Sequence, residues 1–297
     1  MITQAQLQNV FPADAAALWQ YLQNKNKGGL NNSKGNTFEN FYSVFKIAES
    51  HNKKDDWANT LFSSQQMDFV DDLRINRVNP ISTDYFQIKD IAALTWTAKN
   101  NQLDIDFFVQ FELCRIAGMP ATTSIVVSTT AVGQELTDGM PVRCTAFSHV
   151  IVFSTAKSVQ ALLKSNKPFL DEIVKMCAFS STDKLEALAT VLLGVWDGTD
   201  KNNISLQDII DRCFAINPHF IKGLQNQVSQ QVENILTSIN GFTFQVRDGY
   251  IVWTYQGTDK GNFPYPIGSI KYVEWEDRFI ANGPYHTFED IEIEFPV

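Results

Sequence analysis

The sequence predicts an α/β protein in two parts. A layered domain over residues 1–183 precedes a helix-then-hairpin module over residues 184–297. Three observations carry this. Thr123-Ser124-Ile125-Val126-Val127-Ser128-Thr129 is a continuous β-branched run, as expected of a strand covered on both faces. Stripes of apolar residues at helical spacing flank it. Beyond residue 184, helical stripes give way to two alternating runs around Asp248-Gly249, a hairpin signal.

The elements follow in order. Residues 4–24 carry Leu7, Val10, Ala15, Leu18, Trp19 and Leu22 on a helical face interrupted by Pro12. Gly28-Gly29-Leu30-Asn31-Asn32-Ser33-Lys34-Gly35 is loop chemistry. Asn36-Thr37 offers an N-cap. The next helix carries Phe38, Phe41, Tyr42, Phe45 and Ala48 on one face. Lys53-Lys54-Asp55-Asp56 is a solvated break. Residues 68–76 and 83–89 read as strands, separated by Asn79-Pro80. Residues 95–117 read as a helix ending at Gly118. Residues 131–147 give no clear pattern, and Val150-Ile151-Val152-Phe153 is a further strand. Helices and strands so interleaved form an α/β layered domain.

In the second part, Leu185, Leu188, Ala189, Leu192 and Leu193 make a helical stripe ending near Gly198. Ser205-Leu206-Gln207-Asp208 opens another helix, which Asn217-Pro218 breaks. Residues 219–239 read as a third. Phe242-Thr243-Phe244-Gln245-Val246 and Tyr250-Ile251-Val252-Trp253-Thr254-Tyr255 form the hairpin. Three helices followed by a hairpin is a winged-helix-like arrangement. The Pro-rich tail reads as irregular strands.

Net charge is −9, which does not suit a protein that merely coats nucleic acid. The charge is uneven. Residues 1–183 hold 16 basic and 18 acidic side chains, whereas residues 184–297 hold 8 and 15. The first part is the better candidate to meet DNA. The second is better suited to a protein partner or another copy of itself. Cys114, Cys144, Cys177 and Cys213 lack zinc-site spacing and form no disulfide framework. No run of about 18 apolar residues exists, so no membrane span is expected. The N-terminus lacks the plan of a signal peptide, and the chain reads as cytoplasmic.

One constellation carries chemistry. In Thr83-Asp84-Tyr85-Phe86-Gln87-Ile88-Lys89-Asp90, Gln87 and Lys89 share one face of a strand and Phe86 and Ile88 the other. Upstream, Phe69-Val70-Asp71-Asp72-Leu73-Arg74-Ile75 reads as a strand opening with paired carboxylates. Glu39 sits on the aromatic-rich helix. Phosphodiester hydrolysis needs a divalent cation, oxygens to hold it and a positive group near the phosphate. Asp71 or Asp72, the Ile88 carbonyl and the Gln87 amide are hard oxygen donors suited to Mg²⁺ or Mn²⁺. Lys89 supplies the positive group, and Glu39 a further carboxylate. Alternation favours Asp72 over Asp71, because Leu73 and Ile75 face the other way; a bulge reverses this.

The order Glu39, Asp71/Asp72, Gln87-x-Lys89 resembles the PD-(D/E)xK, or restriction-endonuclease-like, superfamily in its QxK variant. The segments Gly35-Asn36-Thr37-Phe38-Glu39, Leu94-Thr95-Trp96, Ile105-Asp106-Phe107 and 124–129 resemble double-stranded-DNA nuclease effector domains of bacterial anti-phage systems. The resemblance covers roughly residues 28–155. It implies a mixed sheet flanked by helices and a Mg²⁺-dependent deoxyribonuclease acting in defence. Catalytic roles would fall to Glu39, Asp72, Gln87 and Lys89. Metal contacts would fall to Asp72, Asp71, Glu39, Gln87 and Ile88.

Plainer readings stand beside this one. Alternating polar and apolar residues such as Gln87-Ile88-Lys89 occur on many solvent-facing strands. A glutamate at a helix start favours the dipole. A catalytically degenerate nuclease fold serving as scaffold or nucleic-acid-binding subunit, and a winged-helix transcriptional regulator, are the alternatives. For the regulator, the recognition helix would lie near residues 221–239, a segment poor in basic residues.

Overall fold

The computed structural model describes residues 2–29, 36–97, 102–217, 220–223 and 225–295. The chain divides into two compact units. One comprises Met1–Glu172 with Leu192–Ile209, the other Ile173–Val191 with Ile210–Val297. The 183/184 cut drawn from the change of pattern falls within Ile173–Val191 of the second unit.

The first unit opens with α1 (Gln4–Val10) and α2 (Ala15–Gly29). Thr3 and Gln6 form a capping box that starts α1. Pro12 lies between the helices, where its missing N–H costs no helical hydrogen bond. Leu7, Ala15 and Leu22 pack with Phe69 and Val109. The expected glycine loop begins inside α2, which runs to Gly29; residues 30–35 lie outside the described residues. Next comes α3 (Asn36–Asn52), with Phe38, Phe41, Tyr42, Ile47 and Ala48 buried.

Strands β1 (Thr60–Ser63), β2 (Leu73–Val78) and β3 (Ile81–Lys89) form an antiparallel meander. Helix α4 (Leu103–Ile116) then leads to β4 (Ala121–Val127), which runs parallel to β3. Helix α5 (Thr130–Asp138) precedes β5 (Ser148–Val152), parallel to β4. Helices α6 (Val159–Ser165), α7 (Lys167–Met176) and α8 (Thr182–Asp197) follow. Strand β6 (Ile204–Ser205) closes the sheet beside β1. The six-stranded mixed sheet has the order β5-β4-β3-β2-β1-β6. On one face, Tyr42 of α3 meets Phe86 with ring centroids 5.5 Å apart. On the other, the Cys114 thiol of α4 donates to the Tyr85 hydroxyl at 3.5 Å.

Several sequence expectations need correction. The strand expected to open at Phe69 opens at Leu73, and Asp71 and Asp72 precede it in irregular chain. Strand β1 carries no alternation of its own; it is fixed by its partners β2 and β6. The helix expected over 95–117 begins at Leu103, because Trp96 is sunk in the core and donates its indole N–H to the Leu136 carbonyl. The unassigned stretch 131–147 is α5 and a 3₁₀ turn, and Thr129, read as strand, is the N-cap of α5.

The second unit takes the end of α7 from Ile173, the part of α8 up to Val191, and the remaining elements: α9 (Leu206–Ile216, shared with the first unit), α10 (Gln230–Ser238), β7 (Phe242–Arg247), β8 (Tyr250–Tyr255), β9 (Asp259–Asn262), α11 (Ile270–Asn282) and α12 (Phe288–Glu292). The hairpin is present as expected, with Asp248 and Gly249 both at positive φ. The helix expected over 219–239 shrinks to α10. Upstream of it, Ile221 forms a β-bridge with Cys177, and Gly223 lies so close to Gly249 that a Cβ there would meet the Gly249 carbonyl at 2.9 Å. These contacts keep Ile221 and Gly223 out of a helix. No basic residue lies on α10 and its one charged residue is Glu233, so the expected recognition helix is short and acidic. The tail is helical rather than stranded. Ser269 and Thr287 cap α11 and α12, which bring Trp275, Phe279 and Ile291 into an aromatic-rich core with Phe242 and Phe263.

Ile125 is fully buried in β4, paired with Gln87 on one side and Val150 on the other. Ile125→Ala is expected to destabilise the protein by about 2–5 kcal/mol in chemical denaturation, through lost transfer energy and the cavity left behind.

Candidate active site

The ladder between β2 and β3 ends at the Leu73–Phe86 pair, but β3 continues to Lys89. The Ile88 N–H therefore has no strand partner on that edge. Asp72, one residue before β2, supplies one: its Oδ2 accepts from Ile88 N at 2.7 Å. The same oxygen accepts from Gln87 Nε2 at 2.5 Å and Lys89 Nζ at 3.0 Å. A carboxylate shorted of water in this way is kept by charge-assisted hydrogen bonds. The N–H and C=O of one strand residue lie on the same edge, so the Ile88 carbonyl also faces this site.

Glu39 approaches from the first turn of α3. Gln65 joins it to Asp72. Its Nε2 donates to Glu39 Oε2 at 3.1 Å and to Asp72 Oδ1 at 3.2 Å. Burial, with the Asp72 charge adding to it, pushes the Glu39 carboxyl up to about 7.

A second polar cluster lies behind Gln87. Lys25 of α2 donates to Gln87 Oε1 at 3.2 Å, to Asp106 Oδ2 at 2.9 Å and to the Phe69 carbonyl, and ion-pairs with Asp71 at 3.5 Å. Tyr21 also donates to Asp106. An ammonium has no acceptor, so Gln87 turns its oxygen to Lys25 and its NH₂ to Asp72. Burial lowers the Lys25 pKa, but Asp71 and Asp106 outweigh it and hold the ammonium above its usual range. Burial pushes Asp71 up to about 6 against the pull of Lys25. Asp71 Oδ1 and Asp106 Oδ1 are buried without a hydrogen-bond partner.

Glu39, Asp72, Gln87, Ile88 and Lys89 thus meet at one end of β3, and Asp71 faces Lys25. Among the described residues, no three His, Cys, Asp or Glu side chains cluster as a metal-ligand set. Sequence reasoning missed Lys25, Gln65 and the role of Asp106. Asp106 and Gln110 were discernible as polar residues four apart on the otherwise apolar face of α4, and both are buried. Nothing local marks Lys25 or Gln65. All four cysteines are buried and unpaired, and no described helix is long and apolar enough to cross a membrane.

No protein-family model matches the chain, and no curated protein matches it. Three solved structures share a partial likeness. They are of the Acinetobacter baumannii Cap4 SAVED/CARF-domain containing receptor, one of them with the cyclic trinucleotide 3'3'3'-cAAA and one with 2'3'3'-cAAA. Each is 10% identical, with a TM-score of 0.42 over 62% of this chain. The match covers 47%, 48% and 45% of those chains, so this chain spans about half their length. A likeness of this size identifies neither family nor ligand.

Two expectations follow from the electrostatics. Glu39 binds its proton more tightly folded than unfolded, so its contribution to stability falls as pH rises from about 4.5 to about 7 and is flat above. In metal-free buffer, Glu39→Gln is expected to melt higher than wild type at pH 8, with the advantage vanishing near pH 4. Lys25→Met strands two buried carboxylates and is expected to cost about 3 kcal/mol at pH 8 in denaturant unfolding, and less at pH 5 as the acids protonate.

Proposed function

We propose that this chain is a metal-dependent DNA endonuclease whose site comprises Glu39, Asp72, Gln87 and Lys89. The observation that carries the reading is the junction of Asp72 with Gln87 and Lys89, joined to Glu39 through one amide. The residues suit a Mg²⁺ or Mn²⁺ ion. Asp72, Glu39 and the Ile88 carbonyl are hard oxygens at one strand end, and the Gln65 NH₂ group bridging two carboxylates is the kind of positive contact a cation replaces. When bound, the cation supplies Lewis acidity to the scissile phosphate and lowers the pKa of an attacking water. Lys89 stabilises charge gathering on the phosphate. Glu39 is the carboxylate beside Asp72 that would accept a proton from the attacking water. Gln87 anchors Asp72 through its NH₂ group rather than offering its oxygen.

The role in anti-phage defence rests on the sequence resemblance alone, as does double-stranded DNA as substrate of residues 1–183. The acidic residues 184–297 suit a protein partner or a second copy better than DNA.

One observation favours a second reading, a degenerate nuclease fold acting as scaffold or nucleic-acid-binding subunit. Asp72 already accepts from four N–H donors, and the Gln87 oxygen is turned away. Plasmid cleavage decides between them. With Mg²⁺ or Mn²⁺, wild type is expected to cut, and Lys89→Ala to cut at least 100-fold more slowly while still binding DNA. Absence of cutting by wild type, with DNA binding retained, selects the scaffold.

A further inference from the structure

Gln65 belongs to no motif, yet it holds the centre of the site. It is exposed and sits in the left-handed region, with φ at +54°, where residues other than glycine are strained. Its neighbours hold it there. Its own N–H donates to the Asp71 carbonyl at 2.8 Å, and Ser64 N donates to the Lys201 carbonyl at 2.9 Å. Gln66 Nε2 grips the Ser64 and Lys201 carbonyls at 3.1 and 3.2 Å. The strained backbone delivers one amide NH₂ group between two carboxylates. At 3.1 Å from Glu39 and 3.2 Å from Asp72, that nitrogen fills the space between the two carboxyl groups. The amide turns its NH₂ group, not its oxygen, to both carboxyl groups.

We infer that Gln65 is a tethered stand-in for the cation: it bridges Glu39 and Asp72 while the site is metal-free and must withdraw when a divalent ion binds. This rests on the metal-site reading above and adds a regulating residue to it. The bridge keeps the two carboxylates side by side without metal, so the pair does not spring apart. It also competes with the ion, so the site fills only when free metal is high enough to displace the amide. Being exposed, Gln65 can swing into solvent without disturbing the core.

Mn²⁺ binding to the full chain at pH 8.5, followed by calorimetry and by the spin-resonance signal of free Mn²⁺, tests this without DNA or activity. At that pH Glu39 is ionised and the proton does not compete. Gln65→Met keeps the bulk and removes the donor; Gln65→Gly removes the side chain and relieves the backbone. Both are expected to bind Mn²⁺ on the order of five- to tenfold more tightly than wild type, the worth of about one lost competing hydrogen bond. Asp72→Asn is expected to abolish binding. If wild type binds in an Asp72-dependent way and both Gln65 variants bind equally or more weakly, the stand-in role is overturned and the metal site survives. If neither wild type nor the Gln65 variants bind Mn²⁺, the metal reading falls and this inference falls with it.

Discussion

The end of the β2–β3 ladder is the constraint around which the site is arranged. Strand β3 runs past its antiparallel partner, and an unpaired buried N–H is costly. Asp72 substitutes for the missing strand residue by offering Oδ2 to Ile88 N. Once the carboxylate is pinned there, the residues flanking Ile88 are obliged to face it. Gln87 and Lys89 both donate to the same oxygen. A single backbone shortfall thereby sets an amide, an ammonium and a carbonyl around one acid.

Charge balance explains the rest of the cluster. Glu39, Asp71, Asp72 and Asp106 are four carboxylates; Lys25 and Lys89 are two ammonium groups. Full ionisation would leave two negative charges in a poorly hydrated place. Protons can relieve this: burial raises the Glu39 carboxyl to about 7 and that of Asp71 to about 6, with the Asp72 charge adding to both and Lys25 pulling Asp71 down. One divalent cation would relieve it equally.

The second unit is built on different terms. Its three-stranded sheet and the helices α11 and α12 bring together stacked and tilted rings of Phe242, Trp253, Phe263, Trp275, Phe279 and Phe288. Among its described residues no Asp or Glu is buried. Its chemistry is that of core packing.

Local pattern determined much of this protein. The buried β-branched run of β4, the face of α3, the Asp248-Gly249 hairpin and the shared face of Gln87 and Lys89 each follow from periodicity over a few residues. Alternation also selected Asp72 over Asp71, although Asp72 lies just outside the strand invoked for it. Tertiary structure alone decided what long-range partners fix: the short β1 and β6, the non-helical chain at Ile221 and Gly223, the helical tail, and the meeting of Lys25 and Gln65 with acids 40 or more residues away or across a loop. The reason is physical. A periodic stripe encodes which face of one element is buried, whereas a buried lysine or a bridging amide is fixed only by the charges that surround it after folding.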